Sequence, residues 1–523
     1  MTNRKTEGRT GFSRRAFMGR ASALGLMAFS AGLAPASQLW AATPVQGGTL
    51  RLGLGGGEST DSLDPALALA QVAFHVSRCF GETLLDVNPD GSLDMRLAEA
   101  VSANADATVW TFTIRKGVQF HDGSELTAED VLQTMLRHSD DASKSGALGI
   151  MKGIKEMTAE GDSFIVSLTD ANADLPYLLS DYHLVIQPGG GRDKPDAGIG
   201  TNAYRLVEAQ PGVRYAFEKF PDHWDRTRGH FDRIEMVVIN DATARNSALQ
   251  SGQVDIINRV APKVAKLLDR APGLSVQSVT GPGHYVFVMH CDTPPFDNND
   301  LRMALKLAIN REEMLDKILQ GYGTLGNDFP INGASPLFDD TIPQRAYDPE
   351  KAKEYYAKSG HDGSPIVLRV AEGAFPGAVD AAQLFQQSAQ ACGIPLQIKR
   401  EPDDGYWSDV WNKQPFCASY WAGRPVQDQM YSTAYLSTAD WNDTRFKVPA
   451  FDAMLFEAKG ELDPAKRKAL YSKMAYMVRD EGGLILPMFN DYIEGIRDTV
   501  QGWEKNGVWE LMNGLAPLKC WFA

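Results

Sequence analysis

The sequence has few of the features that mark a membrane protein or a common catalytic class. Its longest apolar run, residues 21–33, falls short of the ~20 residues needed to cross a bilayer. The five cysteines form no CxxC pair, which argues against zinc and redox sites, and an odd count in 523 residues is no disulfide scaffold. The motifs HExxH, GxSxG and SxxK are absent from residues 43–523.

Positive charge is scarce beyond the first 42 residues. Residues 43–523 hold 46 Lys and Arg against 65 Asp and Glu, a net charge of −19. Nucleic acids and anionic membrane surfaces repel such a chain, so we expect neither as a partner. With 43% hydrophobic and 23% charged residues, the composition is that of a globular protein with two or three domains.

Residues 1–42 have the pattern of a twin-arginine export signal. Arg14 and Arg15 precede the apolar run, and a membrane anchor, the alternative, would need a longer one. Cleavage is expected after Ala36 or after Ala42, and no cysteine lies near either point for lipid attachment. We therefore expect a periplasmic mature protein.

Strand and helix patterns indicate an α/β protein. Apolar residues alternate in "TLRLGLG" (49–55) and in "TVWTFTIRKGVQFHDG" (108–123), as in half-buried strands. Thr127 and Asp130 then have capping-box spacing at the start of a helix. The section 366–421 alternates three strand segments with two helical ones, as in a sheet with crossover helices.

Ligands of such sheets bind beyond the carboxyl ends of the strands. Two turn-rich segments leave strands at that end, "GGESTDSLDP" (56–65), which contains Glu58, and "WAGRPVQD" (421–428). The apolar strand 285–291 opens with Tyr285, which we place in the same predicted site.

We expect no metal and no cofactor. His121 and His284 are single histidines in turns without a partner at ligand spacing. The tripeptide "HCD" (290–292) ends a strand, and neighbouring strand residues point to opposite faces, so the three cannot easily converge on one ion.

The segment "LAEAVSANADATVWTFTIRKGVQFHDGSELTAEDVLQTMLR" (97–137) resembles the signature of the extracytoplasmic solute-binding proteins of peptide, nickel and opine ABC importers. Segments 200–224, 241–256 and 290–314 resemble the same family in the same order. The resemblance implies a two-lobed α/β periplasmic binding protein fold, type II and cluster C-like, with an extra subdomain in the first lobe. It also implies a monomeric protein without enzymatic activity that passes a small-molecule or peptide ligand to ABC permease subunits.

By the same resemblance, the lobes have approximate boundaries. The first lobe would take residues 43–283, with an inserted subdomain at about 86–199. The second lobe would take residues 284–485, and residues 486–523 would return to the first lobe.

The chain departs from the family pattern within "SYWAGRPVQDQM" (419–430). Dipeptide-binding members have an aspartate shortly after the tryptophan and glycine, and it holds the amino terminus of the peptide. Trp421 and Gly423 fit this pattern, but Arg424 stands in place of the aspartate. A guanidinium presents a planar fork that suits carboxylate, phosphate or sulfate, so we expect Arg424 to bind an anionic group with Trp421 as an apolar wall. The predicted ligand-binding residues are Glu58, Tyr285, Trp421, Gly423, Arg424 and Asp428.

Several alternatives stay open at this point. Asp428 either meets a cationic group of the ligand or forms a surface ion pair with Arg424, which would contribute only ~0 to 1 kcal/mol. The chain could instead be a secreted hydrolase with an unrecognised triad, or a periplasmic chaperone or metal-binding protein with the same fold. The sequence also allows a disulfide between Cys291 and Cys417 if their Cα atoms lie within ~7 Å.

Overall fold

The computed structural model of the chain describes residues 43–523 except Leu69, Asp141, Ser143, 403–405 and Asp440. The predicted export signal, with both cleavage points, lies outside the described residues. None of the described helices is long and apolar enough to span a membrane.

Most strands belong to one mixed sheet. In chain order the strands are β1 (Thr49–Leu54), β2 (Leu85–Val87), β3 (Leu93–Met95), β4 (Ala98–Ala103), β5 (Val109–Ile114), β6 (Ile154–Glu160), β7 (Ser163–Leu168), β8 (Tyr204–Gln210), β9 (Arg214–Lys219), β10 (Arg233–Val238), β11 (Ile256–Ile257), β12 (Leu274–Met289), β13 (Gly323–Leu325), β14 (Ile366–Val370), β15 (Leu396–Arg400), β16 (Phe416–Trp421), β17 (Leu484–Arg497), β18 (Val500–Gln501) and β19 (Trp521–Phe522). The large sheet has the order β15-β14-β16-β12-β17-β11-β1-β10-β9-β8, with β13 beside β17. Strands β4-β5-β7-β6 form a separate antiparallel sheet.

Helices connect these strands. They are α1 (Gln71–Phe80), α2 (Ala128–Ser139), α3 (Leu148–Met151), α4 (Leu175–Leu178), α5 (Ala242–Gln250), α6 (Pro262–Leu268), α7 (Asn299–Leu307), α8 (Arg311–Lys317), α9 (Pro349–Ser359), α10 (Ala378–Ala391), α11 (Tyr406–Asp409), α12 (Gln427–Ala434), α13 (Pro449–Gly460), α14 (Pro464–Glu481), α15 (Glu510–Asn513) and α16 (Ala516–Lys519). The capping box that the sequence predicts is formed, because Thr127 and Asp130 bond each other's backbone N–H at the start of α2.

The predicted α/β pattern is confirmed in the section 366–421, where β14, α10, β15, α11 and β16 follow one another. The predicted strand 285–291 is wrong in extent, since β12 already begins at Leu274. Gly281, Pro282 and Gly283 interrupt the apolar pattern there, but pairing with β17 continues on both sides of them.

The buried apolar side chains fall into separate clusters. The largest is built from residues 286–489. A second combines β1, α1 and β8 to β10 with C-terminal residues 496–520, and a third lies within residues 84–186. The C-terminal segment thus packs with the first strand of the chain, while the lobe boundaries predicted from the sequence stay a prediction.

Two antiparallel strands, β12 and β17, run from one cluster to the next. Residues 274–280 of β12 pair with β17 beside β11, whereas residues 284–289 pair with both β17 and β16. The register shifts between Thr280 and His284, where the His284 ring donates to the carbonyl of Pro282 over 2.8 Å. A bulge therefore interrupts the pairing between the half of β12 at residues 274–280 and the half that also pairs with β16.

Cys291 and Cys417 form no disulfide, so the possibility that the sequence left open is excluded. All five cysteines are free thiols. Cys417 in β16 lies opposite Val288 in the strand register, and Cys291 lies three residues further along, beyond the end of β12. Three strand residues span roughly 10 Å, more than the ~7 Å that a disulfide tolerates between Cα atoms.

A left-handed turn follows β17 near the C-terminus. Leu511, Met512 and Asn513 have φ of 52°, 60° and 60°, which costs non-glycine residues about 1–2 kcal/mol each. The Leu511 N–H donates to the carboxyl of Glu494 in β17 over 3.0 Å, and the second oxygen of Glu494 has no hydrogen-bond partner within the described residues. Burial raises the pKa of Glu494 to about 8, and the neighbouring Glu510 carboxylate adds to this.

Glu494 makes stability fall as pH rises. The unfolded chain releases this proton near pH 4.5 and the folded chain near pH 8, so the free energy of unfolding decreases between these values. Glu494→Gln keeps an acceptor for Leu511 but removes the titration. We expect this variant to exceed the parent by about 2 to 4 kcal/mol at pH 8.5 and to approach it near pH 4.5.

Urea unfolding from pH 4.5 to 9 measures this difference. The matched control is Glu99→Gln at an exposed position of β4, which should follow the parent at every pH. A Glu494→Gln protein that is no more stable than the parent at pH 8.5 contradicts the prediction.

Candidate functional site

A cavity of about 1520 Å³ lies between the cluster of residues 286–489 and the clusters of the first part of the chain. Its walls come from α1, the segments 175–183 and 259–263 on one side and the segments 373–377 and 420–433 on the other. This volume exceeds the ~300–1,000 Å³ typical of drug-sized ligands, so the cavity can hold a solute of several linked groups.

The turn after β16 brings one wall against the bulge of β12. Gly423 has φ of +81°, and a Cβ there would lie 2.5 Å from Pro282. A side chain at this position would clash with Pro282, and its backbone would be strained at this φ. The close approach of the two segments therefore requires glycine. The carbonyl of Gly423 accepts a hydrogen bond of 2.6 Å from Nη1 of Arg424, so Gly423 orients that side chain.

Arg424 lines the cavity without a carboxylate partner among the described residues. Burial lowers the pKa of its guanidinium, and the carboxylate of Asp181, which bonds His183 over 2.6 Å, opposes that shift from a distance. The guanidinium carbon lies 5.8 Å from the ring centre of Trp421. Arg424 is therefore a cation with free donors beside an aromatic face.

Asp428 lies in the first turn of α12, buried in the cavity wall. Its carboxylate accepts from the hydroxyl of Ser432 over 3.3 Å and makes no ion pair with Arg424, so that alternative is wrong. Burial raises the pKa of Asp428, while the charges of Lys459 and Arg467 lower it. Arg424 and Asp428 thus offer two separate polar groups to the cavity.

Trp421 belongs to a cluster of three indole rings. Its ring lies 6.4 Å from that of Trp411 and 6.1 Å from that of Trp441, centre to centre. The N–H groups of Trp411 and Trp421 donate to one oxygen of the buried Asp443, over 3.0 and 3.2 Å. Burial raises the pKa of Asp443 to about 6. Trp441 also lines the cavity, and neither it nor Asp443 is among the residues predicted from the sequence.

Tyr285 and Glu58 have different positions relative to the cavity. Tyr285 lines it and stacks on Phe375 with ring centres 4.4 Å apart. Glu58 is exposed and is not among the described residues that line it. The backbone of Glu58 and Ser59 packs on Gly212 at the β8–β9 turn, so the geometry gives no support to a ligand contact by Glu58.

Arg259 also faces the cavity, although it is not among the residues predicted from the sequence. It follows β11 by two residues, and its Nε donates to Glu510 over 2.9 Å. The strand-exit rule that selected the turn after β16 applies here too. Arg259 was not predicted because β11 is a two-residue strand without an alternating pattern.

An ion pair connects the two sides of the cavity. Asp174, next to α4, contacts Arg467 of α14, and both side chains are nearly buried. Beside them the N–H of Ala173 donates to the carbonyl of Lys459 over 2.7 Å. Burial raises the pKa of Asp174 to about 6, although the charge of Arg467 opposes this.

The described residues contain no group of three or more His, Cys, Asp or Glu side chains that could hold a metal ion. His290, Cys291 and Asp292 follow the end of β12, and the backbone N–H groups of His290 and Cys291 donate to Pro415 and Thr444.

Comparisons with known proteins agree with this geometry. The glutathione-binding protein GsiB of Pectobacterium atrosepticum is 24% identical over 435 residues, which is 79% of this chain and 84% of the relative. The solved structure of DppA from Helicobacter pylori with the peptide STSA has a TM-score of 0.77 at 21% identity and covers 91% of this chain and 98% of that chain. AgaA from A. tumefaciens R10 with agropinic acid has a TM-score of 0.75 at 21% identity, covering 91% and 99%.

These structures are periplasmic binding proteins, and the predicted two-lobed α/β fold is confirmed by the likeness. The sequence model described as "Bacterial extracellular solute-binding proteins, family 5 Middle" matches residues 93–443, well over half of the chain. The chain belongs to the bacterial extracellular solute-binding proteins of family 5.

Proposed function

We propose that the chain is the periplasmic substrate-binding protein of an ABC importer. It captures a small polar solute between its two lobes and delivers it to the membrane permease. The observation that carries this function is a cavity of about 1520 Å³ that is lined from both lobes and contains an unpaired guanidinium. Relatives named for glutathione, a peptide and agropinic acid support a solute of this size and polarity.

The rest of the proposal follows from the sequence and the family. Residues 1–42 export the protein by the twin-arginine route, and it acts as a monomer. Among the described residues, nothing favours the hydrolase, the chaperone or the metal-binding alternative.

Native mass spectrometry of protein purified from its own periplasm tests the function by the mass of the solute that co-purifies. Turnover of a peptide or ester library by the protein would contradict it.

Within the cavity, Arg424 binds an anionic group of the solute. Its Nη1 is fixed on the carbonyl of Gly423, which leaves the other donors free for a carboxylate, phosphate or sulfate. Residues 43–523, with a net charge of −19, repel anions at long range, so capture depends on a local donor in a partly dry site. The indole wall of Trp421 and Trp441 limits water on one side of that donor.

Arg424→Ala should weaken binding of the co-purifying solute by about 2 to 5 kcal/mol, the cost of removing one partner of a desolvated charged pair. Arg424→Lys should recover part of this, because an ammonium cannot form the bidentate contact. Titration calorimetry measures both. The control is Arg205→Ala, at an exposed ion pair in β8, which should bind as the parent does. Equal affinity of Arg424→Ala and the parent would remove Arg424 from the site.

The ion pair of Asp174 and Arg467 should favour the closed form of the two lobes. Asp174→Asn leaves Arg467 buried without its countercharge, which raises the free energy of the closed form relative to the open one. We expect a solute affinity at least about tenfold weaker, since apparent affinity falls with the fraction of binding-competent protein.

Small-angle scattering with and without the solute tests the closure. The parent should become more compact at saturation, and Asp174→Asn should need a higher solute concentration for the same change. Asp162→Asn, which breaks an exposed pair with Lys116 inside one lobe, is the matched control. A parent that stays unchanged at saturation argues against closure.

A further inference from the structure

A second guanidinium faces the cavity from the opposite lobe. Arg259 uses Nε for its hydrogen bond to Glu510, and its side chain is 45% exposed although it lines the cavity. Its two terminal nitrogens make no hydrogen bond or ion pair with any described residue. The outer edge of this guanidinium is therefore available to a solute.

The backbone at Arg259 is strained. Arg259 itself has φ of 53°, and its partner Glu510 begins the segment that continues through the left-handed turn 511–513. Such conformations are strained in non-glycine residues and persist where the surroundings enforce them. Arg245 supplies that enforcement, because its guanidinium donates to the carbonyls of Asn258 and Arg259 over 3.1 and 3.2 Å.

Glu510 holds Arg259 by one nitrogen and stays ionised. Burial alone would raise the pKa of Glu510, but the His75 ring, whose Nε2 lies 4.0 Å from the carboxylate, and the charge of Arg259 lower it to about 2. Asn258 donates to the other oxygen of this carboxylate over 2.9 Å, which fixes its orientation. The carboxylate therefore orients Arg259 without covering the paired donors of its terminal nitrogens.

Arg259 and Arg424 approach the cavity from opposite directions. The strand order places β17 and β12 between β11 and β16, and β16 runs antiparallel to β11. Arg259 and Arg424 follow the carboxyl ends of β11 and β16, so both exits point toward the bulge at 280–284. Three strand spacings separate the two exits sideways by roughly 14 Å.

From these contacts we infer that Arg259 is a second anion-binding residue and that the solute carries two acidic groups, one for each lobe. This inference rests on the proposed solute-binding function. Each arginine keeps free donors, and in both cases a protein acceptor fixes one nitrogen of the guanidinium. A solute with acidic groups at both ends bridges the lobes through one charge-assisted contact on each side.

The test uses two sets of probes, each as matched pairs. One set contains α,ω-dicarboxylates of four to twelve carbons and their monoamides. The other contains dipeptides with a glutamate side chain and the corresponding glutamine dipeptides. Calorimetry should find a diacid in at least one set that binds about 10- to 100-fold more tightly than its amide partner, as expected for a lost charged hydrogen bond. The set that binds shows whether the solute is a simple diacid or an acidic peptide.

The variant Arg259→Met should bind a diacid and its amide with equal affinity, because only the contact at Arg424 remains. Arg259→Lys should restore part of the difference. Glu510→Gln keeps the cation but weakens its orientation, so it should reduce the difference and serves if Arg259→Met does not fold. Arg205→Met, the exposed control in β8, should keep the full preference for the diacid.

The inference is overturned if no diacid of either set binds, if amides bind as tightly as diacids, or if Arg259→Met keeps the preference. A co-purifying solute with a single acidic group that depends on Arg424 also overturns it, while leaving the proposed function intact. Failure to bind any co-purified solute would instead count against the function itself.

Discussion

Strands β12 and β17 are the constraint on which the rest of the structure depends. Their antiparallel pairing passes from the part of the sheet beside β11 to the part that contains β16, and the bulge at 280–284 lies where one gives way to the other. A bulge twists and bends a ladder, so the two halves of each strand can belong to differently oriented layers. The cavity opens beside this bulge, since Pro282, Gly283 and Tyr492 all line it. Its two walls are therefore positioned by a single pair of strands.

Some charged groups around the cavity already have hydrogen-bond or ion-pair partners within the protein, and others do not. Asp443 accepts two indole N–H groups, and Glu510 has partners on both oxygens, so these carboxylates serve to hold other residues. Arg424 instead bonds a backbone carbonyl, which carries no net charge to neutralise it. Desolvating a cation without a counterion is unfavourable, and an anionic solute would remove that penalty on binding. The acidic surface of the protein excludes anions generally, so selectivity comes from these local donors.

Much of the fold could be predicted because its signals are local. The capping box at Thr127 and the alternating segments 366–421 each lie within a short stretch of sequence, and both form as predicted. The full length of β12 could not be predicted, because the glycines at 281 and 283 are typical of a turn. The pairing that keeps these residues in a strand comes from β17, some 200 residues later. Likewise, the strand register that keeps Cys291 away from Cys417 is set by tertiary structure, and no local sequence pattern indicates it.

The same difference between local and tertiary signals applies to the residues of the candidate site. Arg424 and Trp421 were predictable because the family pattern marks their position after a strand, while the absence of a bond between Arg424 and Asp428 depends on the direction of α12. Arg259 and Glu510 are 251 residues apart in sequence, and no spacing rule connects them. Glu510 precedes three left-handed residues, none of them glycine, which sequence rules would not place there. Strain of this kind is stable only when buried partners such as Glu494 and Arg245 enforce it, so its location can be recognised only once the chain is folded.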